Sequence, residues 1–122
     1  MHKNRNRKLN RTVLAVVTAG AISVAGCATW QNQVEDQVTK ASSALEAAKI
    51  AGASRFAPDI VKSSENYLGQ AQQLLQEGKL EEATRSALKA TADAQLAFEQ
   101  AEAGGKNDKI ETLRQEIASL MR

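Results

Sequence analysis

Few residues of this chain are of the types that catalyse reactions or bind metals. The only histidine is His2 and the only cysteine is Cys27. The spacing of Asp36 to Lys40 and of Glu81 to Arg85 favours surface ion pairs along helices, and the chain has no phosphate-binding or zinc-protease motif. We therefore expect that the protein is not an enzyme and that it has no cofactor and no metal site. Three carboxylate pairs are the remaining candidates for acid–base or metal chemistry: Glu35 with Asp36, Glu81 with Glu82, and Glu99 with Glu102.

Cys27 stands at the end of a segment with the composition of an export signal. Residues 2–11 are basic, and residues 12–26 form an apolar run that is short for a membrane span. Val24, Ala25 and Gly26 lead into Cys27, and this motif resembles the lipobox of bacterial lipoproteins. The resemblance implies cleavage before Cys27 and acylation of its thiol and its freed amine, with chains such as palmitate. Several acyl chains anchor a protein stably, whereas one holds it only marginally.

The resemblance also carries an expectation about location. Asp directly after the cysteine retains such lipoproteins in the inner membrane, and here Ala28 follows. The resemblance therefore favours a lipid-anchored protein of the bacterial outer membrane that faces the periplasm. Two alternatives stay open, a short transmembrane anchor and ordinary signal cleavage after Ala25. The second would leave an unpaired thiol in an oxidising compartment.

Composition and charge narrow the class of protein further. The chain has 122 residues, of which 43% are apolar and only 3% aromatic, and this indicates one small Ala-rich helical protein. It has 16 basic and 14 acidic side chains, and five of the basic ones lie within residues 1–26. Without that segment, 11 basic residues face 14 acidic ones and the net charge is −3. Such a charge gives no affinity for nucleic acid.

The spacing of apolar residues predicts successive helices. A first helix from Val34 ends near Gly52, and a second begins at Pro58. Gly78 is expected to adopt the left-handed conformation between the second helix and the third, which Gly104 and Gly105 should end. The inner residues of the first helix are Val34, Val38, Ala41, Leu45 and Ala48; those of the second are Ile60, Ser64, Tyr67, Ala71 and Leu74; those of the third are Leu80, Ala83, Ala87, Ala90, Ala94, Ala97 and Ala101.

The expected fold is all-α, an antiparallel three-helix bundle with a short C-terminal fourth helix and an N-terminal signal helix in the precursor. We expect the chain to divide into four segments: a lipoprotein signal peptide (1–26), a lipidated linker (27–33), the Ala-rich bundle (34–103) and an amphipathic C-terminal helix (104–122). Alanines bury little area. Most of the core must therefore come from larger side chains: Leu45, Phe56, Tyr67, Leu68, Leu74, Leu75, Leu88 and Phe98.

The C-terminal segment has the a and d pattern of a coiled coil. Ile110 and Ile117 occupy a positions, and Leu113 and Leu120 occupy d positions. Ile at a and Leu at d suit a parallel dimer, although Lys109 and Arg114 would then face each other with like charge. Packing of this segment back onto its own bundle is an equal alternative.

The stretches "AGASRFAP" and "EGKLEEATRSALKATADAQLAF" resemble an uncharacterised helical domain of small proteobacterial envelope lipoproteins, over residues 41–103. That domain often precedes an OmpA-like peptidoglycan-binding domain. No OmpA-like pattern occurs in this sequence, so binding of peptidoglycan by that route is not implied. The resemblance implies a helical fold without assigned chemistry. The matching positions include Gly52, Phe56, Pro58, Gly78 and Asp93. Asp93 is expected at a solvated edge of the alanine seam, which is the row of inner alanines on the third helix.

Three functions remain as hypotheses. The leading one is a membrane-tethered bundle that acts as an interaction or scaffold module, binding another envelope protein or itself through Ile110, Leu113, Ile117 and Leu120. The second is a structural spacer that contacts peptidoglycan non-covalently. The third is a carrier for a small ligand between helices, which the shortage of aromatic residues disfavours.

Overall fold

The structure is a computed structural model that describes the backbone of residues 3–122. It also describes the burial of residue 26 and of residues 28–122. Four helices account for nearly all of it: α1 (Lys3–Ile50), α2 (Ala53–Phe56), α3 (Pro58–Gln76) and α4 (Leu80–Leu120). The chain divides into two compact units, Met1–Gln33 and Val34–Arg122. Residues 27–33, predicted as a lipidated linker, lie within α1 and are helical. The prediction of an all-α bundle is confirmed.

The second unit is a bundle of three long helical segments. Val38 of α1 lies in one buried cluster with Ala71 and Ala87, whereas Leu45 and Ala48 lie in another with Val61, Ala94, Ala97 and Ala101. Residue numbers therefore rise together along α1 and α4 and fall along α3. Thus α3 runs antiparallel to the other two segments, as predicted.

The ends of the helices follow from local sequence. Gly52 (φ 94°) and Gly78 (φ 73°) both take the left-handed conformation that favours glycine. After α3, the amide of Gly78 bonds to the carbonyl of Leu75 at 3.1 Å and that of Lys79 to Leu74 at 2.9 Å, which closes a Schellman turn. Pro58 begins α3, where its missing N–H does no harm. The sequence did not indicate α2, a single turn between Gly52 and Pro58.

The predicted inner residues of α1 are all buried, and so are those of α4 except the half-buried Leu80. The prediction of a core made of larger side chains is only partly right. Leu45 is buried, whereas Leu88 is 52% and Phe98 36% exposed. Alanine seams bring the helix axes close together and leave little room for large side chains between them. In α3 the prediction omitted Val61, which is buried.

The third and fourth predicted helices are one. Gly104 and Gly105 lie inside α4, and the helix continues to Leu120. The C-terminal segment is helical as predicted, but it continues α4 and is not a separate element. Neither glycine has a positive φ angle, so neither acts as a helix end.

Candidate interaction surface

The α4 helix is much longer than the bundle that contains its first half. It has 41 residues, and at about 1.5 Å per residue it is roughly 60 Å long. Its last buried residue is Ala101, and residues 105–122 are all exposed. We call residues 105–122 the extension. It contacts the rest of the described chain only near its start.

A cluster between α2 and α4 holds the helix where it leaves the bundle. The ring of Phe56 lies against Gly104, at a place where any side chain would collide with it. The guanidinium of Arg55 stacks on that ring, 4.7 Å from its centroid. The same guanidinium pairs with Asp108, with 2.8 Å between Nη1 and Oδ2. We call these four residues the clasp, and they tie the beginning of the extension to the bundle.

Beyond the clasp, four large apolar side chains follow one face of the extension. Ile110 is 48% exposed, Leu113 47%, Ile117 56% and Leu120 81%. We call these four residues the apolar stripe. At about 100° of rotation per residue, the stripe lies roughly 100–180° around the helix from Ala101, turned away from the core. The alternative in which this segment packs back onto its own bundle is therefore wrong.

The acidic candidates do not form a reactive centre. Glu81 pairs with Arg85 at 3.0 Å, as predicted, whereas Asp36 and Lys40 form no ion pair in the described part of the chain. Asp93 is half-buried and accepts a hydrogen bond of 2.6 Å from the hydroxyl of Ser63, so it ties α3 to α4. Among the described residues no group of three or more His, Cys, Asp or Glu could hold a metal ion.

In the described part of the chain, the side chains with shifted pKa values all belong to ion pairs on the surface. The hydrogen bond to Glu65, 2.6 Å away on α3, raises the pKa of Lys49 above its usual value. Beside the α3–α4 turn, the hydrogen bond between Lys79 and Glu77 lowers the pKa of Glu77 and raises that of Lys79. These groups stabilise helix contacts and a turn, and they do not converge on a cleft.

A surface groove between α1 and α4 could admit a small molecule. It has a volume of about 500 Å³ and is lined by Ala44, Ala47, Gln95, Phe98 and Glu99. The groove is open to solvent because the two alanines on α1 leave the ring of Phe98 uncovered. A carrier normally encloses most of its ligand, so the groove gives little support to that hypothesis.

The predicted lipidation site lies at the limit of what the structure describes. The side chains of Val24, Ala25 and Cys27 are outside the described residues, and Gly26 is exposed. In the described part of the chain, no helix is both long and apolar enough to cross a membrane.

Comparison of the chain with models of protein families finds a match. A family model described as "Domain of unknown function (DUF4398)" matches residues 36–113. The match begins just after the start of the bundle and includes the clasp and the first half of the apolar stripe. No curated protein and no solved structure matches the chain significantly. Since the matched segment covers more than half of the chain, the protein belongs to the DUF4398 family.

Proposed function

We propose that this protein is a non-enzymatic lipoprotein of the bacterial envelope, a membrane-tethered helical bundle that acts as an interaction module. The observation that carries the proposal is the apolar stripe, a row of four large side chains on a helix that its own bundle leaves uncovered. Single exposed apolar residues are common on protein surfaces, but contiguous ones mark interaction sites.

The energetics of the apolar stripe support a binding role. Full burial of a leucine or isoleucine stabilises an assembly by about 1.5–3 kcal/mol relative to exposure. Part of each side chain is already covered by its own helix, so a partner would gain less than that per residue. The extension is already helical and the clasp holds its start, which lowers the ordering cost that association normally carries. Helices that present apolar residues at intervals of three and four positions bind in apolar grooves or against other helices.

A tether at Cys27 is compatible with this role. The chain enters the bundle at Val34, and α4 runs in the same direction as the 34–50 part of α1. The apolar stripe therefore lies at the end of the bundle opposite Val34. In the sequence, the proposed tether at Cys27 precedes the bundle and the apolar stripe follows it.

The anchor is tested by intact mass of the membrane-extracted protein, for the native chain and for Cys27→Ala. We expect an N-terminus at Cys27 that carries acyl groups, and loss of both the added mass and membrane retention in the variant. An unmodified thiol or an uncleaved N-terminus would reject the lipoprotein assignment and restore the transmembrane or soluble-export alternatives.

The binding role is tested by chemical cross-linking in the intact envelope. The double variant Leu113→Asp with Ile117→Asp places charges in the apolar stripe, and Gln115→Asp places one on the same exposed helix outside the stripe. We expect cross-linked species to disappear in the double variant and to persist in the control. If the double variant cross-links as the native chain does, the apolar stripe is not a binding surface. Retention on purified sacculi without any protein partner would favour the peptidoglycan spacer instead.

A further inference from the structure

We propose that the extension of each chain lies along the bundle half of α4 in a second copy of this chain, so that the two α4 helices pair antiparallel over most of their length. The inference rests on the proposed function and identifies the partner of the apolar stripe. A two-fold axis normal to a membrane gives both copies the same orientation toward it, so the pair is compatible with two lipid tethers.

The bundle half of α4 has an exposed apolar row of its own. Four residues form this outer row: Leu88, Ala92, Leu96 and Ala103. Leu88 is 52% and Leu96 46% exposed. At about 100° of rotation per residue, the outer row lies roughly 140–220° around the helix from the buried Ala101. The outer row and the apolar stripe therefore lie on one exposed side of α4, opposite the core.

One antiparallel register brings the two rows together. Its two-fold axis passes between Gly104 and Gly105, at the middle of the exposed side. Residues of the apolar stripe then lie level with these residues of the second copy: Ile110 with Glu99, Leu113 with Leu96, Ile117 with Ala92, and Leu120 with Lys89, which is next to Leu88. The second half of the stripe thus meets the outer row, and the two-fold axis repeats each contact.

The lengths of the two halves match in this register. The extension comprises residues 105–122, and the part of α4 that it covers in the second copy comprises residues 87–104. The contact runs along about 50 Å of helix, at about 1.5 Å per residue. Each bundle lies on the outer side of its own α4 and on its own side of the axis. The bundles therefore do not collide.

The charges near the axis attract each other in this register. Glu99 and Glu102 precede the two glycines and Lys106 and Lys109 follow them, and none of the four forms an ion pair within the described part of the chain. Lys109 and Glu102 of the second copy occupy the same flank of the interface, about 3 Å apart along the helix axis. Lys106 is about 1.5 Å from the level of Glu102 of the second copy. Each acidic residue thus has a lysine of the other copy within reach.

The opposite flank is complementary as well. Arg114 lies about 3 Å along the axis from Asp93 of the second copy. Asp93 is half-buried and already accepts a hydrogen bond from Ser63, so this contact adds less than the pair near the axis. Gln100 has the same offset from Asn107 of the second copy, and these two amides can bond to each other.

Other alignments of this face bring like charges together. A shift of the antiparallel register by one heptad places Glu102 opposite Glu102 of the second copy, and a shift in the other direction places Lys109 opposite Lys109. An in-register parallel pair, the direction that Ile at a and Leu at d suggest, places Glu99 opposite Glu99 and Lys106 opposite Lys106 in the core. Juxtaposed like charges suppress wrong pairings. The match of charge and apolar residues in one register points to a second copy as the occupant.

The register is tested with introduced cysteines. The full chain is studied in detergent, with Cys27→Ala in every sample so that only the introduced thiols can form disulfides. Leu96→Cys with Leu113→Cys places two thiols that lie level in the proposed pair. They are about 25 Å apart along their own helix and cannot bridge within one chain. We expect a disulfide-linked dimer on mild oxidation.

Two controls define the direction and the register. Leu113→Cys alone links copies that pair in parallel, because each Leu113 then meets its counterpart. Leu88→Cys with Leu113→Cys places the two thiols about 12 Å apart along the axis of the proposed pair. We expect at least about tenfold less disulfide dimer in both controls. As much dimer with Leu113→Cys alone as with the test pair would overturn the proposal.

The charges are tested by sedimentation of the Cys27→Ala chain without other cysteines. Lys109→Glu should weaken the dimer by about tenfold, because two attractive contacts become repulsive. Adding Glu102→Lys to that variant should restore the dimer to within about threefold of the reference. The matched control is Lys62→Glu at an exposed position of α3, which should leave the dimer unchanged. Circular dichroism should show the same helicity in all variants. A dimer that ignores Lys109→Glu, a double variant without recovery, or a chain that is monomeric at all concentrations would each reject this pairing.

The two proposals fail in different ways. If the purified chain stays monomeric but the Leu113→Asp, Ile117→Asp variant loses its cross-links in the envelope, the apolar stripe binds a different protein. The interaction role then stands and self-association is rejected. If neither experiment shows association, both are rejected.

Discussion

Gly104 shows how one residue without a side chain can determine where a helix leaves a bundle. A Cβ atom at Gly104 would come within 2.6 Å of three atoms of the Phe56 ring, closer than real contacts allow. At Gly105 a Cβ atom would meet nothing within 4 Å. The two neighbouring glycines therefore have different roles, since only the first is required by packing.

This difference predicts opposite effects for the same substitution. Gly105→Ala should stabilise the protein by up to about 1 kcal/mol, because alanine favours helix over glycine by that amount. Gly104→Ala gains the same helix preference but displaces the Phe56 ring, and such overpacking costs about 1–3 kcal/mol. We expect Gly104→Ala to be the less stable of the two by at least about 1 kcal/mol in urea unfolding. Equal stabilities would mean that the ring moves freely and that the clasp is weak.

At the scale of the elements, spacing alone predicted most of the structure. Ala83, Ala87, Ala90, Ala94 and Ala97 all face the core, as their three and four spacing indicates. Spacing identifies the face of a helix that is buried, but it gives neither the width of the gap nor the partner. This is why the exposure of Leu88 and Phe98 was not predicted.

The failure at Gly104 and Gly105 has the same origin. Two consecutive glycines disfavour helix locally, and the sequence therefore predicts an end there. The contacts that support the helix come from Arg55 and Phe56, about fifty residues earlier in the sequence. Tertiary contacts of this kind override a local preference, and no local pattern announces them. The exposed apolar stripe, by contrast, could be predicted as a candidate site because its a and d spacing is local.

The helices lie close together at the alanine seam, and this gives a prediction for α4. Ala94 is fully buried, whereas Ala92 on the same helix is exposed. Ala94→Leu should destabilise the bundle by about 1–3 kcal/mol, because a larger side chain must separate helices that are already in contact. Ala92→Leu should change stability by less than about 0.5 kcal/mol. Thermal unfolding of the two variants measures the difference. A tolerated leucine at Ala94 would show that the seam has room to expand.

On the scale of the whole molecule, folding and the proposed association use different parts of one helix. Residues 83–101 of α4 supply the buried face of the bundle, the clasp follows, and residues 109–122 are all exposed. The segment after the clasp therefore contributes little to the stability of the bundle. In the proposed function, its exposed apolar residues make contacts outside the bundle.

Two truncations separate these parts. A chain ending at Asp108 keeps the clasp, and its bundle should unfold within about 0.5 kcal/mol of the full chain, since only exposed residues are lost. A chain ending at Ala101 also loses the contacts of Gly104 and Asp108 with α2, and it should be less stable by about 1–3 kcal/mol because Phe56 loses its cover. Both should lose all association through the apolar stripe. If the chain ending at Asp108 were as unstable as the shorter one, the extension would be part of the fold, and its exposed residues would need no partner to explain them.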